Sequence, residues 1–454
     1  MSATNPLWTN VNAITLKDNL IEQIVNRSNI NKACKRVITN GGSPGIDGME
    51  VKQLGIWLQR NMSKLQNSLL AGTYIPQPVR LVEIEKPGGG IRMLGVPTVV
   101  DRMIQQAIHQ VMNPYFDLDF SDSSFGFRSG RSAIQAVQKV QGYQRSGHRW
   151  VVNVDLRSFF DVVNHDILMS LIKKKISDKR LLTLLNQYLR VGIMQGGIVS
   201  PRTAGTPQGS PLSPLLSNIL LNELDKELEN RGHKFCRYAD DFVILVKSQK
   251  SAERVMDSIC GFIEKRLKLQ INHSKSQVCN GWQLEYLGFG FTKDRNAKLS
   301  VPRKMQQRFK AKARTLFRMG RGMNLLRFIH EKLNPMLRGW INYYSHSNVK
   351  SFAEKLDGWV RRHLRLIIWR QWKIPRTRFK RFYAMGMTFD HAMQCAPITN
   401  EGLGGIPVRN TCNFLFQGNI LCPWDLFQCS NGLRENELFL ILGTAVYGTV
   451  RTVV

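Results

Sequence analysis

Two short segments of the chain combine apolar residues with aspartates in a pattern that suits metal-dependent chemistry. Asp155 follows the apolar run 150–154, and Asp240 and Asp241 lie within a second apolar run at 235–246. A carboxylate at the edge of an apolar strand is costly unless it is hydrogen-bonded, paired or bound to a metal ion. Adjacent carboxylates raise that cost, and a divalent cation removes it. If the two segments form neighbouring strands, the three aspartates would share Mg²⁺ ions through oxygen ligands.

Nucleotidyl transfer is the reaction that such a site suits best. Two hard cations activate an attacking hydroxyl group and stabilise a leaving pyrophosphate. The alternative is structural: Asp240 and Asp241 would form a solvent-exposed turn, and Asp155 would cap a helix. For an arbitrary pair of adjacent aspartates the structural role is the commoner one, so the choice depends on the surrounding sequence.

The elements that must position these carboxylates follow from hydrophobic periodicity and turn signals. Residues 1–70 are predicted to be mostly helical, with a break at the glycine-rich stretch 41–45. Strands on either side of Pro87 to Gly90 predict a β-hairpin within 74–96, because glycine tolerates a positive φ. Further helices are predicted at 101–115, 131–143, 165–189 and 211–228 and, as two or three helices, within 303–372; strands are predicted at 150–154 and on both sides of a turn within 235–246.

The overall composition points to a polyanionic partner. The 454 residues include 64 Lys and Arg against 33 Asp and Glu, a net charge of +31. Charge alone suits either nucleic acid or an acidic membrane surface. The sequence has no run of the roughly 20 apolar residues that span a bilayer and no basic amphipathic anchor, so we expect a cytoplasmic protein without a membrane partner. Its eight scattered cysteines do not form a disulfide framework.

The positive charge is concentrated in one segment. Residues 301–394 contain 22 Lys and Arg against 4 Asp and Glu, a local net charge of +18. The periodicity of this segment predicts amphipathic helices with apolar faces inward and basic faces outward. Such a surface suits phosphate contacts with structured RNA, whose grooves are recognised mainly by shape.

Motif blocks around the two aspartate segments decide between the catalytic and the structural interpretation. Tyr238-Ala239-Asp240-Asp241 resembles the Tyr-x-Asp-Asp hairpin of reverse transcriptases. Other blocks stand around it in the order that family uses: Gly45-Ile46-Asp47-Gly48; Ile91-Arg92-Met93-Leu94-Gly95-Val96-Pro97 with Asp101-Arg102 and Gln105; Phe125-Gly126-Phe127-Arg128-Ser129-Gly130-Arg131-Ser132; 155–161 with His165; Gly205-Thr206-Pro207-Gln208-Gly209-Ser210-Pro211-Leu212-Ser213-Pro214; Asn272 with Lys275-Ser276; and Tyr286-Leu287-Gly288-Phe289. So many collinear blocks identify the chain as a member of the group II intron reverse transcriptase/maturase family.

The resemblance implies an α+β fold and a domain order. The fold would be a right-hand polymerase, with fingers and a palm whose antiparallel sheet bears the Tyr-Ala-Asp-Asp hairpin, followed by an α-helical thumb/maturase domain. The implied divisions are a helical extension at 1–70, fingers and palm at 71–295, an RNA-binding thumb/maturase domain at 296–394 and an atypical tail at 395–454.

The resemblance also implies roles for residues of the palm. Asp155, Asp240 and Asp241 would be the catalytic, metal-binding triad, with the backbone carbonyl of Leu156 as a further ligand. Phe160 occupies the position of the family's steric gate against the ribose 2′-OH. The alternative for Phe160 is an ordinary core phenylalanine.

Other residues would contact the incoming nucleotide. Arg92 and Lys86, on the fingers hairpin, would neutralise its triphosphate. Gln208 would contact the nucleotide or the template, and Lys275 would lie near the primer terminus or its phosphates. A solvated surface lysine is the alternative for both Lys86 and Lys275.

The basic segment carries a thumb/maturase signature at 333–335 and 337–344. Its aromatic residues, among them Trp340, Trp359 and Trp372, are predicted to belong to the core rather than to stack on bases. The residues expected to bind RNA are Arg338, Arg361, Arg362, Arg365 and Lys373.

The implied function is that of an RNA-directed DNA polymerase that also binds group II intron RNA and assists splicing and intron mobility. Its cofactor would be Mg²⁺, and its partners intron RNA, an RNA template, a DNA primer or target, and deoxynucleoside triphosphates. One alternative is a splicing-only maturase that uses the fold as an RNA-binding scaffold, which the intact aspartates disfavour. The other is a reverse transcriptase not tied to an intron, which the basic segment disfavours.

The sequence from Cys395 onward departs from the family pattern. It has no lysine, no Cys-x-x-Cys spacing of the kind used in zinc sites, and no Trp-Trp-Asn-Ser-Gly-Ala motif or endonuclease pattern. Codons that encode Leu403 to Thr411 can be chosen so that another reading frame restores the missing motif. We therefore hypothesise that a frameshift near 394–396 produced the tail, and we expect the tail to pack poorly.

Overall fold

The chain forms two compact units that divide between Gly281 and Trp282. The computed structural model describes residues 19–85, 89, 91–195, 198–200, 205, 209–347, 350–384 and 388–396. The division falls earlier in the chain than the 295/296 boundary expected from the family. The hypothesis about the tail concerns residues that, from 397 onward, lie outside the described ones.

The first unit contains a helical part and two sheets. Its helices are α1 Leu20–Val25, α2 Arg27–Asn40, α3 Leu54–Leu70, α4 Val99–Asp117, α5 Ala133–Arg145, α6 Phe159–Val162, α7 His165–Lys173, α8 Lys179–Arg190, α9 Ser213–Asn230 and α10 Gln249–Phe262, with a 3₁₀ turn at Val51–Gln53 and a π-helical turn at Ile263–Leu267. Its strands are β1 Val79–Glu85, β2 Ile91–Val96, β3 Trp150–Val154, β4 Ile193–Gln195, β5 Ile198–Ser200, β6 Lys234–Tyr238, β7 Asp241–Val246 and β8 Gln277–Asn280.

Helices α1 to α4 form the N-terminal layer of this unit. On α2, the side chains of Ile30, Ala33, Cys34 and Val37 are buried, which is the i, i+3, i+4, i+7 spacing of one helix face. That face packs against α4. Helices α1 to α3 confirm that the segment predicted to be mostly helical is so over 19–70, and residues 1–18 lie outside the described residues.

The first sheet consists of the hairpin β1–β2 with β4 and β5 added beside β1, in the strand order β2-β1-β4-β5. β1 and β2 pair antiparallel from Arg80 with Val96 to Glu85 with Ile91. β4 runs parallel to β1, and β5 returns antiparallel to β4. The hairpin predicted within 74–96 is therefore confirmed.

The second sheet carries the aspartates and has the order β6-β7-β3-β8, with every pair antiparallel. β3 lies in the interior of the sheet, and its Val151, Val152 and Val154 are fully buried. The β7 residues 242–246 are buried as well, because α10 packs over β3, β7 and β8. The centre of the sheet is therefore apolar as far as Asp155, the residue after β3.

The second unit begins with a small antiparallel sheet in the order β9-β10-β11 and continues as helices. Its elements are β9 Glu285–Tyr286, β10 Phe289–Phe291, β11 Leu299–Ser300, α11 Arg303–Gly320, α12 Leu325–Phe328, a π-helical turn at Ile329–Leu333, α13 Asn334–Tyr344, α14 Lys350–Gln371, α15 Pro375–Ala384 and α16 Phe389–Cys395. No helix in the described part of the chain is long and apolar enough to cross a membrane.

The helices of the second unit share one apolar core. Phe317, Phe328, Leu337, Leu356 and Leu364, from α11 to α14, are all buried in it. Trp340, Trp359 and Trp372 lie at the edge of the same cluster and pack against it. This confirms the core prediction for these three aromatic residues, whereas Tyr343 of the same segment is exposed, so for it the prediction is wrong.

One predicted helix is divided in the structure. Instead of a single helix at 165–189, α7 ends at Lys173 and α8 begins at Lys179. Asp178 lies in the break, where its carboxylate accepts hydrogen bonds from the backbone N–H groups of Arg180 and Leu181 and caps α8. It also accepts one from the backbone of Ile21 at 3.1 Å, which fixes the break against α1.

Candidate active site

The Tyr-Ala-Asp-Asp segment forms a tight β-hairpin turn between β6 and β7. Tyr238 pairs with Asp241, and Ala239 and Asp240 are the two residues between them. Ala239 has φ 59°, a left-handed backbone that alanine seldom adopts. The turn therefore places two consecutive carboxylates at the open end of the sheet.

Asp155 lies directly after β3, at the same end of the sheet. Val154 of β3 pairs with Phe242 of β7 at this end of the sheet. Asp155 and Asp241 are therefore the next residues beyond that pair. Leu156, next in the chain, is buried and forms an isolated antiparallel bridge with Ile271. The two aspartate segments are therefore on neighbouring strands, as predicted.

Three residues after α10 hold Asp155 in place. Its carboxylate accepts a hydrogen bond from the Asn272 side-chain amide at 3.0 Å, and its backbone N–H donates to the Ser276 hydroxyl at 3.0 Å. The Lys275 ammonium lies 3.7 Å from the same carboxylate oxygen that Asn272 contacts. Lys275 is thus brought to the predicted site, and its exposed side chain leaves it accessible to a phosphate.

The surroundings of Asp241 disfavour the ionised form of its carboxyl group. Its pKa is raised to about 7, first because the surrounding protein displaces water from the carboxylate, and then because of the negative charges on Asp240 and Asp155. Its side chain nevertheless reaches solvent. A cation arriving from solvent would relieve the repulsion among the three carboxylates.

The donor set fits a hard divalent cation. All three side chains offer carboxylate oxygens, the ligands that Mg²⁺ and Ca²⁺ prefer. Within the described part of the chain, no three Asp, Glu, His or Cys side chains already stand as a complete metal-binding cluster. Mg²⁺ in phosphate chemistry usually takes one or two protein carboxylates and completes its shell with water and substrate phosphates. These residues suit a site of that kind.

A buried ion pair supports the turn from inside the protein. The guanidinium of Arg237, with no exposed surface, donates to both carboxylate oxygens of Asp225 on α9, at 2.8 and 3.1 Å from Nε. Its Nη1 donates to the side-chain oxygen of Asn218 at 2.9 Å and to the backbone carbonyl of Ala239 at 3.0 Å. One buried cation therefore links helix α9 to the carbonyl of Ala239 inside the Tyr-Ala-Asp-Asp turn.

The loop before α5 presses directly against the same turn. A Cβ placed on Gly126 would come within 2.2 Å of the Ala239 backbone nitrogen, so only glycine fits there. The carbonyl of Gly126 accepts a hydrogen bond from the Asn218 side-chain amide at 2.9 Å. In addition, the backbone N–H of Phe125 donates to the Arg237 carbonyl at 2.8 Å.

Phe160 lies on the short helix α6 beside the first aspartate. Its ring is partly buried and meets Phe159 edge-on, with centroids 5.3 Å apart. A Cβ on Gly205 would come within 2.7 Å of the Phe160 carbonyl oxygen, so the chain at Gly205 passes closely over α6. His165 fixes this approach, because its Nε2 lies 2.6 Å from the Gly205 carbonyl oxygen.

Several residues predicted to contact the nucleotide cannot be placed. Lys86, Gln208 and the side chain of Arg92 lie outside the described part of the structure. The backbone of Arg92 is in β2, opposite Ile84 of β1.

The five residues predicted to bind RNA all belong to the second unit. Arg338 lies on α13; Arg361, Arg362 and Arg365 lie on α14; and Lys373 is the second residue after α14. Arg338, Arg362 and Lys373 are exposed, and the other two arginines are partly buried.

Asn218 and Asp225 were not predicted from the sequence. Both are fully buried on α9, seven residues apart and therefore on one face of the helix. A signal was present, because a polar residue repeated at this spacing in a largely apolar helix needs a buried partner. Its partner could not be identified from the sequence, since Arg237 is on a different element.

Comparison with known proteins decides the family. The family model of reverse transcriptase (RNA-dependent DNA polymerase) matches residues 84–291, and that of the group II intron maturase-specific domain matches residues 306–384. Protein YkfC of Escherichia coli strain K12 is 35% identical over 276 residues, which is 52% of this chain and 72% of YkfC. The chain belongs to the group II intron reverse transcriptase/maturase family.

The chain is also similar to other proteins over part of their length. The group II intron-encoded protein LtrA of Lactococcus lactis subsp. cremoris is 28% identical over 316 residues, or 55% of this chain and 53% of LtrA. The chain thus spans about half the length of LtrA. A solved structure described as a partial Cas6-RT-Cas1–Cas2 complex is 28% identical over 55% of this chain and 43% of that one, with a TM-score of 0.36. The fold class, family and enzyme class predicted from the motif blocks are confirmed by the family matches.

Proposed function

We propose that this protein is an RNA-directed DNA polymerase that also binds group II intron RNA to assist its splicing and mobility. The observation that carries the proposal is the meeting of Asp155, Asp240 and Asp241 at one end of an antiparallel sheet, within a chain of this family. The substrates would be an RNA template, a DNA primer or target and deoxynucleoside triphosphates. We place this activity in the cytoplasm, where such a chain meets its RNA.

We assign the three aspartates as the residues that hold Mg²⁺, with the Leu156 carbonyl as a further oxygen ligand. When bound, the ions supply activation of the primer hydroxyl and neutralisation of the triphosphate. The raised pKa of Asp241 supports the assignment, because burial and then the charges of Asp240 and Asp155 disfavour its ionised form, which a bound cation would stabilise.

The protein's own residues would orient the substrates. Lys275, already next to Asp155, would contact a phosphate near the primer terminus. Phe160 would exclude the ribose 2′-OH by its bulk, held in position by the close passage of Gly205. Arg92, Lys86 and Gln208 would contact the incoming nucleotide or template.

The second unit would supply the RNA-binding surface. Its net positive charge and its amphipathic helices support phosphate contacts by Arg338, Arg361, Arg362, Arg365 and Lys373. We accordingly assign 71–295 as fingers and palm, and 296–394 as the thumb/maturase domain.

Two assays on the unaltered chain test the proposal. In the first, a DNA primer annealed to an RNA template is extended with deoxynucleotides and Mg²⁺; in the second, a precursor RNA containing a group II intron is spliced with and without protein. We expect both activities. RNA binding and splicing without extension would overturn the polymerase assignment, and extension without any effect on splicing would overturn the maturase assignment.

A further inference from the structure

Part of the backbone strain in the protein lies around the carboxylates. Among the described residues, seven other than glycine have a positive φ, and three of these lie in or beside the segments that form the site: Phe127, Ser158 and Ala239, with φ of 60°, 46° and 59°. Serine and alanine are small, but a phenylalanine in this conformation is a genuine outlier. Strain of this kind persists where the surroundings enforce it, and it is common at functional sites.

The structure enforces the conformation of Phe127 from both sides. Before it, the Gly126 carbonyl is held by the Asn218 amide at 2.9 Å. After it, the Arg128 guanidinium donates to the carboxylate of Asp117 at 2.7 Å and to the carbonyls of Ser121 and Ser124 at 2.7 and 3.0 Å. The Arg128 side chain is only 5% exposed. The backbone on each side of Phe127 is therefore fixed by buried polar contacts.

Burial of the ring does not explain this arrangement, since Phe127 is 50% exposed. Its neighbour Gly126 abuts the nitrogen of Ala239, so the exposed ring emerges one residue from the contact with the catalytic turn. An exposed aromatic ring on a fixed backbone, one residue from the contact with the Tyr-Ala-Asp-Asp turn, is suited to pack against a flat apolar ligand.

We infer that Phe127 contacts nucleic acid, with its ring against a base of the primer–template duplex next to the Tyr-Ala-Asp-Asp turn. This rests on the proposed polymerase function and names a substrate contact for the same site. An aromatic ring has a face that every nucleobase can stack on, so such a contact tolerates any sequence, as a polymerase requires.

The test compares three variants of the full chain. Phe127→Asn removes the ring while keeping a residue that tolerates the left-handed backbone. Phe127→Tyr keeps the ring, and Ile56→Asn removes an equally exposed apolar side chain from α3 as a control. Affinity for a fluorescent primer–template is measured by anisotropy, and stability by thermal unfolding.

We expect Phe127→Asn to keep or raise the Tm and to weaken duplex binding by roughly 5- to 150-fold, the range for loss of one aromatic–base contact. Phe127→Tyr should bind like the unaltered chain, and so should Ile56→Asn. The binding measurement is repeated with an abasic nucleotide at the primer terminus or at the paired template position. The difference in affinity between Phe127→Asn and the unaltered chain should disappear only when the abasic nucleotide is on the strand that the ring contacts. Unchanged binding by Phe127→Asn would overturn the inference. If the unaltered chain binds the duplex but does not extend the primer, the polymerase function is overturned. The inference about Phe127 would be unaffected by that result, because it is tested by binding.

Discussion

The buried pair formed by Arg237 and Asp225 should be the most sensitive point in the support of the catalytic turn. The perturbation is Asp225→Asn, which keeps the shape of the side chain and removes its charge. Arg237 would then remain a buried cation without its counter-ion, since both side chains are fully buried. Burial raises the pKa of Asp225, and the neighbouring guanidinium of Arg237 opposes that shift by stabilising the ionised carboxylate.

The expected cost follows from the burial. Removing one partner of a fully buried ion pair costs about 3–5 kcal/mol of unfolding free energy, because the other charge is left uncompensated. That is a large share of the roughly 5–15 kcal/mol that stabilises a typical protein. The matched control on the same helix is Glu227→Gln, which breaks the partly exposed Glu227–Arg231 pair and should cost only about 0.3–0.5 kcal/mol.

A double variant separates stability from function. Replacing the pair with Asp225→Leu and Arg237→Met removes both charges, so most of the lost stability should return. The Ala239 carbonyl, however, would still lack the donor that Arg237 provides at 3.0 Å. We therefore expect the double variant to unfold near the concentration of urea that unfolds the unaltered protein, and to extend primers more slowly.

Urea unfolding followed by circular dichroism measures the stabilities, and single-turnover primer extension measures the rate. The reasoning fails if Asp225→Asn costs no more than Glu227→Gln. It also fails if the double variant, once folded, extends primers at the full rate, because the link from Arg237 to the turn would then be unimportant.

Three further predictions concern the turn, the carboxylates and the basic surface. Gly126→Ala should destabilise the protein by about 1–3 kcal/mol and slow primer extension, because the added Cβ would lie 2.2 Å from the Ala239 nitrogen. The control is Gly142→Ala, at a position on the open surface of a helix. It should be neutral or stabilising when both variants are compared by thermal unfolding. Because the pKa of Asp241 is about 7 in the folded protein against 3.8 ordinarily, the folded state binds the proton more tightly and loses stability as the pH rises from about 4 through 7. Asp241→Asn should remove that loss, so its Tm in metal-free buffer should exceed that of the unaltered protein by more at pH 8 than at pH 5; an equal difference at both would contradict the shift. Arg362→Met should lower the slope of log affinity for structured RNA against log salt by about 0.7–0.9, and an unchanged slope would exclude a phosphate contact there.

The local elements of the catalytic sheet were predictable from the sequence. The apolar run 150–154 is β3, and the run around the two aspartates is a hairpin, because period-two patterning and a short turn signal are local properties. The helix at 249–262 was not predicted, although Ala252, Val255 and Ile259 mark its buried face. The end of α7 was missed for a different reason: Asp178 caps α8 and also binds α1, a contact between distant parts of the chain.

The residues that hold the aspartate turn in place were less predictable from the sequence than the aspartates themselves. The three aspartates stand out because charges are rare in apolar strands. The ion pair of Arg237 with Asp225, and the contact of Gly126 with Ala239, join residues from different elements, so their spacing in sequence carries no signal. The pKa of Asp241 likewise depends on how closely Asp155 approaches, which only the paired strands define.

The measurement that tests the central claim most directly is primer extension on an RNA template by Asp241→Asn beside the exposed control Asp257→Asn, with duplex binding measured for each. If the carboxylates of the turn carry polymerase catalysis, Asp241→Asn will bind primer–template normally and extend it at least about 100-fold more slowly, in line with the loss of a catalytic electrostatic contact. Asp257→Asn will behave as the unaltered chain. Extension by Asp241→Asn at the control rate would contradict the account.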